Sequence, residues 1–155
     1  MNNLASMYYL QGRYAEALPM SSRVLDARTR VLGEEHPQTL TAMHNVANNY
    51  SGLKKFAEAE PLFIKALAGR GRVLGAAHPL TTMTVSSLAE MYIKQRRYSE
   101  AESLLLGALA VIPEGKGPTR QGITRDLVRL YEAAGQPAKV AERRATLPSD
   151  TPARP

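Results

Sequence analysis

His36, His44 and His78 are the three histidines of this chain, the side chains whose type could bind a metal or move a proton near neutral pH. His36 and His78 stand 42 residues apart, and each precedes a proline. Metal ligation would need further donors, and neither a cysteine nor a cluster of carboxylates completes a ligand set around them. A local account suffices: proline at the first helical position starts a helix well, and its ring keeps the preceding residue out of the α region. His44 lies off this spacing, and the serines and acids are too scattered to pair it into a triad. The chain has no glycine-rich phosphate loop ending in Gly-Lys-Ser/Thr, no Gly-x-Ser-x-Gly and no His-Glu-x-x-His. Catalysis, a bound metal and a cofactor are therefore not expected.

The spacing of the histidines belongs to a longer pattern. Arg13-Tyr14-Ala15-Glu16-Ala17, Lys55-Phe56-Ala57-Glu58-Ala59-Glu60 and Arg97-Tyr98-Ser99-Glu100-Ala101-Glu102 repeat cation, ring, small residue, acid and alanine at intervals of 42. Pro19 and Pro61 recur at the same interval, so a proline inside a helical pattern is a fixed device here, tolerable in or next to a first turn. Self-similarity at such a period marks stacked units, none of which can bury its apolar face alone.

Composition agrees. Of 155 residues, 44% are hydrophobic and 22% charged, enough for an ordered core. With no cysteine there are no disulfides. A formal charge of +6 and a pI near 9.8 admit nucleic acid or an acidic membrane as partners. The cations are spread over the repeated helices, however, and the few aromatic residues fall at repeat-core positions, which disfavours nucleic acid. No apolar run of membrane length and no signal-like start occurs, so a cytoplasmic protein without a membrane partner is expected.

In chain order, Leu4, Ala5 and Tyr8 form a first helical stripe ended by Gln11-Gly12. Tyr14 to Val31 forms a second, closed by Gly33. Unit two repeats this with Met43, Val46, Ala47 and Tyr50, then Phe56 to Val73. Its stretch Ala68-Gly69-Arg70-Gly71 is expected to fray or bend, because interior glycine costs about 1 kcal/mol relative to alanine. Unit three runs through Val85, Leu88, Ala89 and Tyr92, then Tyr98 to Ala108, with Glu114-Gly115-Lys116-Gly117-Pro118 as a loop. A fourth unit, Ile123 to Tyr131 and then about Ala138 to Leu147, is polar enough to close the stack. The units span about 1–36, 37–78, 79–117 and 118–147, and residues 148–155 should be a disordered tail.

Leu88-Ala89-x-x-Tyr92 followed by Ala101, Leu105, Ala108 and Pro113 resembles the tetratricopeptide repeat. Val31-Leu32-Gly33-Glu34-Glu35-His36-Pro37 and Val73-Leu74-Gly75-Ala76-Ala77-His78-Pro79 resemble the 42-residue variant of kinesin light chains. The resemblance covers roughly residues 1–145. It implies an all-α solenoid of stacked antiparallel helix pairs, a right-handed superhelix of about three and a half to four repeats. Ser21 and Val24 depart from the pattern in unit one, as do Val140 and Arg144 in unit four, so the end units should be the less stable ones.

The resemblance also implies a non-catalytic interaction module that binds an extended peptide or helix along a concave groove lined by the first helix of each unit. Carried over position by position, the groove falls on Asn2, Asn3, Ser6 and Tyr9 in unit one, and on Thr41, His44, Asn45 and Asn48 in unit two. Unit three gives Ser86, Ser87, Glu90 and Lys94, and unit four Arg125, Asp126, Arg129 and Glu132. Asparagine amides both donate to and accept from a peptide backbone, while Lys94, Arg125 and Arg129 would suit an acidic partner. The first helix is short before Leu4, which would expose an apolar N-terminal edge and invite a second copy, the alternative readings being a self-assembling scaffold or a regulatory fragment of a larger multidomain protein.

Overall fold

Each apolar stripe becomes a helix. The computed structural model describes residues 2–114 and 117–147, with the side chains of Asn2 and Asn3 outside the described set. It contains α1 (Asn2–Leu10), α2 (Tyr14–Leu32), α3 (Pro37–Gly52), α4 (Phe56–Leu74), α5 (Pro79–Lys94), α6 (Tyr98–Val111), α7 (Gly117–Ala133) and α8 (Pro137–Ala145). No strand occurs among the described residues. Helix α7 starts inside the stretch expected to be a loop, and the expected tail lies outside the described residues.

Two capping devices recur. His36 and His78 are extended N-caps whose ring Nδ1 atoms accept from the backbone N–H of Gln38 (3.2 Å) and Leu80 (3.1 Å), with Pro37 and Pro79 as first helical residues. Both rings therefore take up an orphan helix donor, the role usually filled by Ser, Thr, Asp or Asn. The turns within helix pairs need one residue in the left-handed region: Gly12 (φ 73°), Lys54 (φ 59°), Arg96 (φ 60°) and Gly135 (φ 67°).

Pro19 and Pro61 lie just past the first turns of α2 and α4, and both helices run on through them. Each leaves one carbonyl, of Ala15 or Ala57, without its helical donor. Those residues and both prolines are exposed, so water can satisfy the carbonyls.

Consecutive helices pack pairwise along the chain, and α5 packs on α7 and α3 touches α5, whereas among the described residues no two even-numbered helices pack comparably. A stack whose odd helices converge while its even helices spread is curved, with α1, α3, α5 and α7 on the concave side. Ala17, Ala59 and Ala101 are fully buried, and their small side chains let packed helices approach closely. The continuous core runs from Ala47 and Phe63 through Leu88, Met91 and Leu105 to Leu127 and Tyr131.

The expected weak spot in α4 is absent, because tertiary contacts override propensity there. A side chain at Gly69 would place its Cβ 2.5 Å from Leu40 Cδ2, so glycine permits α3 and α4 to meet. Arg70 is fully buried and donates to Leu80 O (2.7 Å), Thr84 Oγ1 (2.7 Å) and Thr41 Oγ1 (3.2 Å), which ties α3, α4 and α5 together. Burial lowers its pKa.

An ion-pair device joins neighbouring units. Arg97 reaches back to Glu60 with two bonds of 2.7 and 2.8 Å, stacks over the Tyr92 ring at 4.2 Å, and shares Glu60 with the Tyr92 hydroxyl at 2.8 Å. Lys139, Glu102 and Tyr131 repeat it at the next junction. The Arg97 guanidinium holds the Glu60 carboxyl below its usual range, and burial with the Glu60 contact pushes Tyr92 up to about 12.

Candidate functional site

The concave face begins with neutral polar groups. Asn45 and Asn48 on α3 and Ser6 and Tyr9 on α1 line one cavity of about 170 Å³, whose deeper wall comes from Ser21 and Val24 of α2 and from Asn49 of α3. Asn45 is exposed and Asn48 half-buried. Tyr9 meets the ring of Tyr14 edge-on at 5.4 Å. Burial raises the Tyr9 pKa, and Tyr14, Glu90 and Lys94 act on it electrostatically.

His44, expected on the groove, is placed in the core instead. It is 2% exposed, its ring meets Phe63 edge-on at 5.7 Å, and its Nε2 bonds Asn48 Nδ2 at 2.9 Å. Nδ1 has no partner among the described residues. Burial first, and the nearby Arg70 charge second, lower its pKa to about 3. A ring this far from titration at neutral pH and closed off from solvent offers neither acid–base chemistry nor a contact to a ligand. Its contribution is indirect, since it holds one side of the Asn48 amide. Thr41 is also turned inward, donating to Pro37 O at 2.9 Å and accepting from Arg70.

Further along, the face becomes charged but not simply basic. Lys94 pairs with Glu90 at 2.8 Å and Arg129 with Asp126 at 3.4 Å, while Glu132 takes Arg144. Asp126 also accepts from Ser86 Oγ at 2.5 Å, and burial raises its pKa. Arg125 is exposed and Ser87 half-buried. The expected basic end is thus a mixed surface, because each of two cations has an acid one helical turn away on its own helix. Asn49, which the sequence reading passed over, is the polar residue deepest in the cavity. Its signal was available: the position 42 residues on is Met91, a core residue.

No group of three or more His, Asp or Glu side chains suited to a metal occurs among the described residues. None of their helices is long and apolar enough to cross a membrane.

A family model described as tetratricopeptide repeat matches residues 1–72 and again 44–114. Among solved structures, BtubC (BKLC) from P. vanneervenii is similar with a TM-score of 0.77 at 23% identity, over 98% of this chain and 65% of that one. The present chain thus spans 65% of that protein's length, and at this identity the likeness is one of fold. A Podosopora anserina protein of nearly identical TPR-like repeats, described as a kinesin light chain, gives a TM-score of 0.74 at 27% identity. That match covers 97% of this chain and 76% of the other, and a point variant of the same protein gives the same values. A search of curated protein sequences gives no match.

Proposed function

We propose, from the premise that this chain belongs to the tetratricopeptide-repeat family and is kinesin-light-chain-like in its repeats, that its concave face binds an extended segment of a protein partner. Tetratricopeptide repeats generally mediate protein–protein interactions, and the family is generally non-catalytic. The observation that carries the reading is the convergence of Ser6, Tyr9, Asn45 and Asn48 from two helices on one cavity at the start of the inner face. Amides that present both donors and acceptors can pair with a peptide backbone whatever its sequence, and neighbouring pockets then add selectivity. The mixed charges of Glu90, Lys94, Asp126 and Arg129 would set the orientation of the segment rather than demand an acidic one.

Selecting short peptides from a displayed library and measuring their affinity by calorimetry tests this. Asn45→Ala and Asn48→Ala should each weaken a selected peptide by about tenfold, the effect of one lost hydrogen bond to a polar group left unpaired. Unchanged affinity in both variants, or selected peptides that compete poorly with one another, would count against the concave face.

A second reading, docking of another copy on the α1–α2 end, is favoured by Leu10 and Val31, which are 82% and 80% exposed there. Light scattering over a wide concentration range decides it, since a strict monomer removes it.

A further inference from the structure

Leu4 and Met7 of α1 lie on the surface, 45% and 55% exposed, although their counterparts in the next two units are buried. Those counterparts, at intervals of 42 residues, are Val46 and Leu88 for Leu4, and Asn49 and Met91 for Met7. Each is covered with the help of the preceding helix: α2 packs on α3 and α4 on α5, and Asn49 donates to Ser21 of α2 at 2.9 Å. Leu4 and Met7 stand three residues apart and share one side of α1. Helix α1 thus shows to solvent the face with which α3 and α5 join the stack.

The polar half of a junction is in place on the same helix pair. Arg97 lies over the Tyr92 ring at 4.2 Å, holds Glu100 three residues on, and donates through Nη1 to Glu60 of the preceding helix at 2.7 Å. At intervals of 84 residues Tyr8 and Arg13 stand where Tyr92 and Arg97 do. Arg13 lies over the Tyr8 ring at 4.3 Å and holds Glu16 three residues on, but its Nη1 reaches Gln11 Oε1 at 3.2 Å, on the surface. A stacked cation and a glutamate from the helix before go together: Lys139 lies over Tyr131 and takes Glu102. At the α2–α3 junction Leu18 stands in the glutamate's place, and no cation lies over the Tyr50 ring among the described residues. Tyr8 and Arg13 are therefore set as a junction that takes a glutamate.

The occupant must be a helix that offers apolar side chains to Leu4 and Met7 and a carboxylate to Arg13. A second copy does not supply it. Its Glu60 and Glu102 are held by its own Arg97 and Lys139. Its last helix, α8, would bring Lys139, Arg143 and Arg144 toward Arg13, a meeting of like charges. Two α1 faces set together would give Arg13 no acid beyond the Glu16 type it already holds. We infer that this face of α1 is a docking surface for an amphipathic helix of another protein, which packs apolar residues on Leu4 and Met7 and presents a glutamate to Arg13 and the Tyr8 hydroxyl.

The surface is argued independently of the concave groove, and its test uses a helix rather than an extended peptide. The probe is a fluorescein-labelled synthetic peptide of α4, Phe56–Leu74, whose Glu60 takes Arg97 and Tyr92 within the fold. Titrated with the full chain and followed by fluorescence anisotropy, it should bind saturably. Glu60→Gln in the peptide should weaken binding by at least about fivefold. Arg13→Gln in the chain should weaken the unaltered peptide to a similar degree and make the two peptides equal. Met7→Lys, which alters an exposed side chain, should weaken it by at least about tenfold. A peptide that merely exchanged with the chain's own α4 would respond to neither variant. No saturable binding, equal affinity of the two peptides for the unaltered chain, or insensitivity to both variants overturns the assignment. Self-association of the chain that Met7→Lys abolishes, without peptide binding, overturns it too and gives the face to a second copy.

Discussion

His44 should make the fold acid-labile well before its carboxylates titrate. In the unfolded chain this ring gains a proton below about pH 6.5, whereas the folded chain keeps it neutral down to about 3, chiefly through burial against Phe63 and secondarily through the charge of Arg70. Between those values the unfolded state binds more protons, so stability falls as pH falls. The slope approaches 1.4 kcal/mol per pH unit, which makes the loss between neutral pH and pH 5 about 2 kcal/mol. The reference variant is His44→Asn, because asparagine occurs 42 residues earlier at Asn2, does not titrate and can still bond Asn48. Its absolute stability will differ through lost packing on Phe63, so the quantity to compare is the pH dependence. Urea unfolding followed by circular dichroism at about pH 7 and 5 should show wild type losing about 2 kcal/mol more than the variant. Parallel profiles would refute the reasoning, since they would mean that the ring is charged in the fold or already uncharged in the unfolded chain.

Glu60→Gln should cost about 1–2 kcal/mol near neutral pH by weakening the bonds from Arg97 and Tyr92, read by urea unfolding. Because the folded carboxyl titrates below its ordinary 4.5, that difference is present above 4.5 and should vanish as pH falls through the lowered value. Lys54→Gly and Arg96→Gly should each raise stability by about 0.5–1 kcal/mol in the same assay, because both side chains sit in the left-handed region that glycine enters freely. Two glycines of α4 should respond oppositely to alanine. Gly71→Ala meets nothing within 4 Å and should stabilise by up to about 1 kcal/mol, whereas Gly69→Ala drives a Cβ into buried Leu40 and should destabilise by about 1 kcal/mol net, as thermal melts would show.

The architecture was legible because a repeat states each structural rule more than once. Ala17, Ala59 and Ala101, the His-Pro starts and the shared spacing of Tyr14, Phe56 and Tyr98 together specify helix pairs and their stacking. What escaped was set by contacts between units. His44 looked like a groove residue from its place on the helix, but α3 is covered by α2 on one side and α4 on the other, and Phe63 closes over the ring. The glycines beside Arg70 suggested a frayed end, yet the partners that hold this arginine, Thr84 and Leu80, come from the following helix. Glu60 and Arg97 stand 37 residues apart, as do Glu102 and Lys139, a recurrence visible in the sequence only once the junction is known. The cavity is the most local case, since Ser21 read as a departure from pattern while its partner Asn49 went unremarked.

The most direct test of the central claim is to map a selected peptide on the ¹⁵N-labelled protein by NMR. Binding along the inner face predicts that the largest shifts fall on α1, α3 and α5, around Tyr9, Asn45, Asn48 and Glu90, with the exposed Ile64 of α4 and Ser103 of α6 unmoved. Shifts centred on α2, α4 and α6 would contradict it.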